Sequence, residues 1–337
     1  MPQAALTGPT REQAAAEYLR RERAKESLTE YSQAIDIPGA PLRPTDEAAE
    51  LYKPIETRVA VHHRLMLSAI ERTILRGDGR LMLFMPPGTA KSTYADVVGT
   101  TWALGRWPGH RIILASYATG IAAKQSRKAR AVCRQQGYSV IWDERPTLLD
   151  DQRAVDEWSL TNGSEFMAAG LLAGITGNRA NGVIIDDPLA NREQADSPTI
   201  REKIYAEYVD TALTRLLPRG YVIIIQTRWH EEDLAGMILP VGYNGESGMI
   251  ECRDGQTWEV LCFPAKAERE DDPLGRAVGE YIWPEFYSVR HWQTWEQNPR
   301  AQRTWSALYQ QRPAPFTGVH FNRDMFKMYD PDLPRSL

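Results

Sequence analysis

Residues 81–98 read LMLFMPPGTAKSTYADVV. An unbroken apolar run, a Pro-Gly turn and a helix-forming stretch follow one another, which predicts a buried strand over 81–85, a sharp turn at Pro87-Gly88 and a helix over 92–104. A helix entered this way aims its free N–H groups and the positive end of its dipole at the space beyond the strand tip. The ligand that suits such a place is an anion.

The spacing is that of a phosphate loop, G-x-x-x-x-G-K-[ST], in which backbone N–H groups cradle phosphates, the lysine meets the β and γ phosphates and the hydroxyl ligates Mg2+. Lys91 and Ser92 match it; Met85 and Ala90 stand where that pattern has glycines. Pro86 and Pro87 have no N–H to give, so the cradle falls to Gly88, Thr89, Ala90, Lys91, Ser92 and Thr93. If the loop needs a left-handed residue at 90, alanine there costs about 1–2 kcal/mol. The bland alternative is an ordinary strand-turn-helix with an exposed lysine.

Two further stretches weigh against that alternative. NGVIIDDP, 181–188, is an apolar run ending in two carboxylates 95 residues after Lys91. In a nucleotide-hydrolysing site Asp186 holds magnesium and Asp187 orients and deprotonates the attacking water, a task more often given to glutamate. VIIIQTRWHEEDLAG, 222–236, is a second apolar run, with Gln226, Thr227 and Arg228 at its end, where polar groups of a parallel strand face the ligand crevice and can sense a γ phosphate. The following His230, Glu231, Glu232 and Asp233 lack H-E-x-x-H spacing and suit the first turn of a helix better than a metal site.

Outward from these motifs, RLMLFM, RIILAS, GVIID and GYVIIIQT are continuous rather than alternating apolar runs separated by helical stretches. That is the pattern of a mostly parallel sheet covered by helices on both faces, an α/β fold. Residues 1–50 read as a helical arm and a linker broken at Pro38, Gly39, Pro41 and Pro44, and 51–240 as the catalytic core, decorated by a hairpin around Asn162-Gly163. Residues 241–315 read as a small C-terminal lid subdomain whose own core would be Trp283, Trp292, Trp295 and Trp305.

At 42% hydrophobic and 25% charged residues the composition is globular, and a net charge of -4 gives no overall basic field, so contact with nucleic acid must be local. Lys124, Arg127, Lys128, Arg130 and Arg134 form one such stretch. Cys133, Cys252 and Cys262 have no C-x-x-C spacing and suit a reducing compartment. No run approaches the roughly 18 apolar residues of a membrane span, so the expected location is cytoplasmic.

Taken together, HHRLML, RLMLFMPPGTAKSTYAD, ILASYATGIAAKQSRKAR, ITGNRANGVIIDDP, QTRWHEEDLAG and WSALYQQRPAP resemble the large terminase subunit of tailed bacteriophages and related gene-transfer particles, over about residues 15 to 320. The resemblance implies a P-loop NTPase of the additional-strand (RecA-like) class. It implies an ATPase motor that drives double-stranded DNA into a procapsid in the host cytoplasm, docked as a homo-oligomeric ring on the portal protein and working with a small terminase subunit. On it, Lys91 and Ser92 fall on the phosphate loop, Asp186 and Asp187 on the magnesium and catalytic carboxylates, and Thr227 on the motif coupling hydrolysis to movement. The family's nuclease domain would follow FTGVHFNRDMFKMYDPD, within 316–337, so this chain alone is expected to cut no DNA; the nuclease is then either missing from this stretch or encoded elsewhere.

No arginine lies in the loop from Met85 to Thr93 to meet the γ phosphate. Arg179 precedes the Asp186 strand, at the end remote from its own crevice, and the corresponding arginine in the resembling family makes it the candidate finger for a neighbour's nucleotide in a ring. Arg127 and Arg130 are the fallbacks. Competing readings are a nucleotide-binding assembly scaffold with little turnover, suggested by Ala90 and by aspartate at 187, and another P-loop translocase or helicase, for which no second lobe is visible.

Overall fold

The computed structural model describes residues 10–38, 59–149, 154–175 and 177–313. Most of the linker around Gly39, Pro41 and Pro44, and the 316–337 stretch read as a connection to a further domain, lie outside the described residues.

In chain order, α1 (Arg11–Glu26), α2 (Leu28–Ala34) and α3 (Val61–Arg76) lead to β1 (Arg80–Phe84). A π-helical segment (Thr93–Gly99) continues into α4 (Thr100–Arg106), then β2 (Arg111–Ser116) and α5 (Thr119–Cys133). β3 (Glu157–Ser159), β4 (Glu165–Gly170) and β5 (Ala180–Asp186) follow; helices at Arg192–Asp196 and Pro198–Glu207 precede β6 (Leu216–Gln226), and β7 (Gly248–Glu251) and β8 (Thr257–Cys262) come last.

All eight strands form one sheet in the order β3-β4-β2-β5-β6-β1-β8-β7. The inner pairings are parallel, and the outer pairs β3–β4 and β7–β8 are antiparallel. β6 lies between β1, which runs into the phosphate loop, and β5, which ends in the carboxylate pair. An extra strand inserted at that place is what defines the additional-strand, RecA-like arrangement.

The apolar runs are continuous because alternate residues of each strand enter different cores. Leu81 and Leu83 pack with Met66 and Ile70 of α3, Val97, Trp102 of α4 and Val132 of α5. Met82 and Phe84 pack on the other face with Ile204, Tyr208, Leu234 and Ile238. Among the described residues no helix is long and apolar enough to cross a membrane.

Three parts of the sequence reading change in detail. The N-terminal arm is two helices, broken where Ser27 ends α1 and caps α2, and it docks rather than projects: the Tyr31 hydroxyl donates to Thr101 Oγ1 at 2.8 Å and Trp102 Nε1 to the Ala24 carbonyl at 3.1 Å. The hairpin turns at Gly163, with φ +82°, but β4 pairs in parallel with β2 and so widens the sheet. The boundary expected at 240 is crossed by the sheet, because β8 lies parallel along β1, burying Trp258, Val260 and Cys262 on one face while Glu259 meets Arg72 at 2.5 Å on the other. Trp283, Trp292 and Trp305 join the α3-side core rather than forming a separate one, and Trp295 is 36% exposed.

Candidate active site

The phosphate loop is shaped by two left-handed residues, Gly88 at φ +82° and Ala90 at φ +62°. The alanine therefore does adopt the conformation that a glycine would accept without strain. Helical structure begins at Lys91, so the N–H groups of the first turn point into the crevice beyond β1. The outer side of the loop is tied down. Ala60 donates its N–H to His63 Nδ1 at 3.2 Å, which leaves Nε2 to donate to the Thr89 carbonyl at 3.0 Å, and the Tyr287 hydroxyl donates to the Gly88 carbonyl at 2.9 Å. Thr89 itself closes the turn by donating to the Pro86 carbonyl at 2.8 Å.

Strand tips bring the other motifs to this loop. Lys91, 7% exposed, places Nζ 3.4 Å from Asp187 Oδ2 and 3.3 Å from Thr227 Oγ1. Thr227 donates its N–H to Asp187 Oδ1 at 2.9 Å, and its hydroxyl lies 3.3 Å from the same oxygen. Asp187 sits just past the end of β5 at φ +41°, a left-handed position that aspartate tolerates better than most residues. Three residues far apart in sequence thus meet in one triangle, with the lysine held by the carboxylate and hydroxyl where a phosphate would compete for it.

Asp186, at the end of β5, points to the α4 side of the sheet and is 4% exposed. Burial first, then the charge of Asp187, raises its pKa to about 6, opposed by Lys91, Asp96 and the Ser92 hydroxyl. Asp96 is fully buried in the π-helical segment, and burial, followed by the charge of Asp186, holds its pKa well above the usual carboxylate range. Ser116, the register partner of Asp186 on β2, is also buried. Among the described residues, Asp186 Oδ1, both Asp96 oxygens, Ser116 Oγ and both amide atoms of Gln226 have no hydrogen-bond partner.

Buried polar atoms left this way are what a hydrated cation and phosphate oxygens would satisfy. The oxygen-only donor set of Ser92 and Asp186 fits magnesium, which takes one or two carboxylates and completes its shell with phosphate and water. The described residues contain no group of three or more His, Cys, Asp or Glu side chains set to hold a metal by themselves.

Other candidates lie elsewhere. Arg179 is exposed at the start of β5, its guanidinium 3.4 Å from the Thr214 carbonyl, at the opposite end of the strand from Asp186. Arg127 and Arg130 lie in the second half of α5 and Arg134 just follows it; all three line a surface cavity of about 1110 Å³. Arg228 is spent internally, bonding Asp233 at 2.9 Å, and Asp233 caps the helix Leu234–Ile238 by accepting from Gly236 N–H. His230 accepts from the Glu232 N–H, and Glu232 pairs with Arg201, so the His-Glu-Glu-Asp stretch is structural.

Asp96, Ser116, His63 and Tyr287 were not found from sequence. Asp96 alone carried a signal, a carboxylate inside the otherwise apolar helical run YADVVG. No protein-family model and no curated protein matches the chain. In structure it is similar to the HK97 bacteriophage large terminase, at 12% identity and TM-score 0.49, over 87% of this chain and 55% of that one, so it spans about half of that protein's length. It is also similar to the large terminase ATPase domain of a Thermus phage, at 17% identity and TM-score 0.42, over 81% of this chain and all (100%) of that one. A third similar structure is the large terminase of a thermophilic bacteriophage in complex with ADP, at 14% identity and TM-score 0.40, over 73% of this chain and 51% of that one.

Proposed function

We propose that this chain is the ATPase region of a DNA-packaging motor of the large-terminase kind, hydrolysing ATP to drive double-stranded DNA into a procapsid. The observation that carries the ATPase part is the meeting of Lys91, Asp187 and Thr227 within 3.4 Å of one another beside a helix N-terminus, with the buried oxygens of Asp186 left open. The DNA-packaging part rests on the order of the sequence motifs, from HHRLML to WSALYQQRPAP, which resembles that of large terminases.

In this reading the N–H groups of residues 89–93 cradle the phosphates, and Lys91 leaves Asp187 to meet the β and γ oxygens. Ser92 and Asp186 would hold magnesium, which supplies charge neutralisation on the β and γ phosphates. Asp187, released by the lysine, orients the attacking water and takes its proton, while Thr227, bonded to Asp187 at the tip of β6, registers the change. The loop's outer carbonyls stay fixed by His63 and Tyr287, so the cradle is preformed rather than built on binding. The proposed partners are double-stranded DNA, a portal protein, a small terminase subunit and further copies of this chain in a ring, where Arg179 of one copy would serve the nucleotide of the next.

Single-turnover ATP hydrolysis, measured with and without double-stranded DNA, tests the proposal. Turnover that DNA stimulates supports a motor. ATP bound tightly but left intact under both conditions would instead support a nucleotide-binding scaffold, the reading suggested by Ala90 and by aspartate at 187.

A further inference from the structure

We infer that Gln311 is a positioning residue for Thr227: its side chain holds the peptide between Thr227 and Arg228, and through that peptide keeps the Thr227 N–H and hydroxyl on Asp187. This rests on the reading of Asp187 as the group that activates water, and adds to it a residue 83 positions beyond Arg228 in sequence.

Three observations carry it. Past the end of β6 the chain leaves the sheet, and side chains take its next three N–H groups: Thr227 donates to Asp187 Oδ1 at 2.9 Å, Arg228 to Gln311 Oε1 at 3.2 Å and Trp229 to Asp233 Oδ2 at 3.2 Å. Gln311 thus grips the peptide directly beside the Asp187 contact. Second, Gln311 is 1% exposed and adopts φ +57°, a left-handed position just past the π-helical segment Trp305–Tyr309, where glycine is the usual residue. A glutamine that bears this strain points to a use for its side chain. Third, both ends of the contact are anchored. Gln311 Nε2 donates to the Leu308 carbonyl, Gln310 Oε1 before it accepts the Lys266 N–H at 3.0 Å, and the Arg312 N–H after it donates to the Ser306 carbonyl at 2.8 Å. On the other side the Arg228 guanidinium, bonded to Asp233, lies 5.1 Å over the ring of Phe84, the last residue of the strand that enters the phosphate loop.

A buried N–H deprived of its acceptor draws its peptide toward any other it can reach. Without the Gln311 amide the 227–228 peptide can turn about the bonds on either side, and Thr227 then presents its N–H and hydroxyl to Asp187 less often. A carboxylate that takes a proton from water works only when held in line with that water, and a misplacement of about 1 Å costs up to about 10²-fold in rate. In this role Gln311 does not touch the nucleotide. Its loss therefore lowers the rate of the chemical step and leaves ATP binding almost unchanged.

The test compares the full chain with its Gln311→Gly, Gln311→Met and Gln311→Glu variants, with Asp187→Asn alone and combined with Gln311→Gly, and with Lys91→Ala as reference. Magnesium-ATP affinity and single-turnover hydrolysis are measured, alongside thermal unfolding. Glycine relieves the backbone strain and methionine does not, yet both lack the acceptor. Both should slow hydrolysis about tenfold with affinity within about twofold of the parent, whichever way their unfolding temperatures move. Gln311→Glu keeps an acceptor oxygen at the same reach and should hydrolyse within about threefold of the parent. In the Asp187→Asn chain, where the positioned base is gone, Gln311→Gly should slow the residual hydrolysis by less than about twofold. A glycine or methionine variant that hydrolyses at the parent rate, or that fails to fold, overturns the inference. So does a glutamate variant as slow as the glycine one, or a full further tenfold loss, about the same as in the parent, on Asp187→Asn. Each of these outcomes leaves the functional reading standing as long as Lys91→Ala is inactive; hydrolysis by Lys91→Ala at the parent rate removes that reading itself.

Discussion

The two ends of the parallel strands are built from similar residues and completed differently. At the amino end, apart from Arg80 Nε, the polar groups pair with one another. The Tyr221 hydroxyl lies 3.2 Å from His110 Nε2, Asn181 Oδ1 accepts the Arg111 N–H at 2.9 Å, and both Ser164 Oγ and Asn162 Nδ2 donate to the Leu104 carbonyl at 2.9 Å. At the carboxyl end Ser116 Oγ, Asp186 Oδ1 and the Gln226 amide are all buried and find no partner among the described residues. An interior built for stability satisfies such groups; one that leaves them open holds a place for a ligand. Substitutions at the carboxyl end should therefore change chemistry more than stability, and at the amino end the reverse.

The largest effect expected is at Lys91. Lys91→Ala should lower ATPase kcat/KM by at least about a thousandfold, because the ammonium acts on charge that is largest in the transition state. Its unfolding temperature should stay near that of the parent, since the lysine's partners Asp187 and Thr227 retain each other. Measured ATPase within about twofold of the parent would remove the phosphate-loop reading altogether. The same variant probes the amino end. Mixed in an assembled ring with Arg179→Ala subunits, it should regain ATPase if Arg179 acts on the neighbour's nucleotide, because intact loops then meet intact arginines; no recovery at any ratio would exclude a finger acting in trans.

Asp187→Asn should be next, with ATP binding retained and hydrolysis slowed by about 10²–10⁴, the range for loss of a positioned base. Equilibrium binding of magnesium-ATP beside single-turnover chemistry separates the two. A variant that no longer binds magnesium-ATP means that Asp186 and Asp187 have their roles exchanged.

The sequence made the sheet legible because continuous apolar runs are a local signature of strands buried on both faces, and RLMLF, RIILAS and GVIID needed nothing else. Lys91, Asp186, Asp187 and Thr227 were legible because each ends a strand or begins a helix, where parallel topology collects side chains. β8 was not recognised as a neighbour of β1, since a pairing across about 175 residues of chain leaves no trace in local pattern. Nor was Asp96: helical reading assumes α periodicity, and the π-turn that re-aims it is a tertiary outcome. His63 and Tyr287 act through their grip on loop carbonyls, which any residue type can offer, so no motif marks them.

At the amino end the expected effect is on stability and is driven by pH. Burial lowers the His110 pKa to about 4, against 6.5 in an unfolded chain. Between these values the unfolded state binds more protons than the folded one, so this contribution is whole above pH 6.5 and shrinks as the pH falls toward 4. At pH 5 the loss is about 2 kcal/mol, from 1.36 kcal/mol per pH unit. Denaturant unfolding at pH 7 and pH 5 should show His110→Gln losing about 2 kcal/mol less stability than the parent over that step. Equal losses in both proteins would mean that His110 is not held neutral.

The smallest effect expected is at Ala90, where the two kinds of cost meet in one residue. Its left-handed backbone, φ +62°, costs an alanine about 1–2 kcal/mol, while glycine at the same place gives up about 0.5–1 kcal/mol in chain entropy and loses a partly buried methyl. Ala90→Gly should therefore stabilise by about 0.5–1 kcal/mol, a rise of about 1–3 °C in unfolding temperature. Gly88→Ala is the opposed control: an alanine there takes on φ +82° and its Cβ would clash with the Tyr287 hydroxyl, so it should destabilise and loosen the bond to the Gly88 carbonyl. ATP turnover by Ala90→Gly should stay within about twofold of the parent, because the N–H at 90 keeps its direction. If the glycine instead stabilises while slowing turnover, the strain at Ala90 is part of how the loop presents its N–H groups. The carboxyl end would then store function in backbone geometry as well as in unsatisfied side chains.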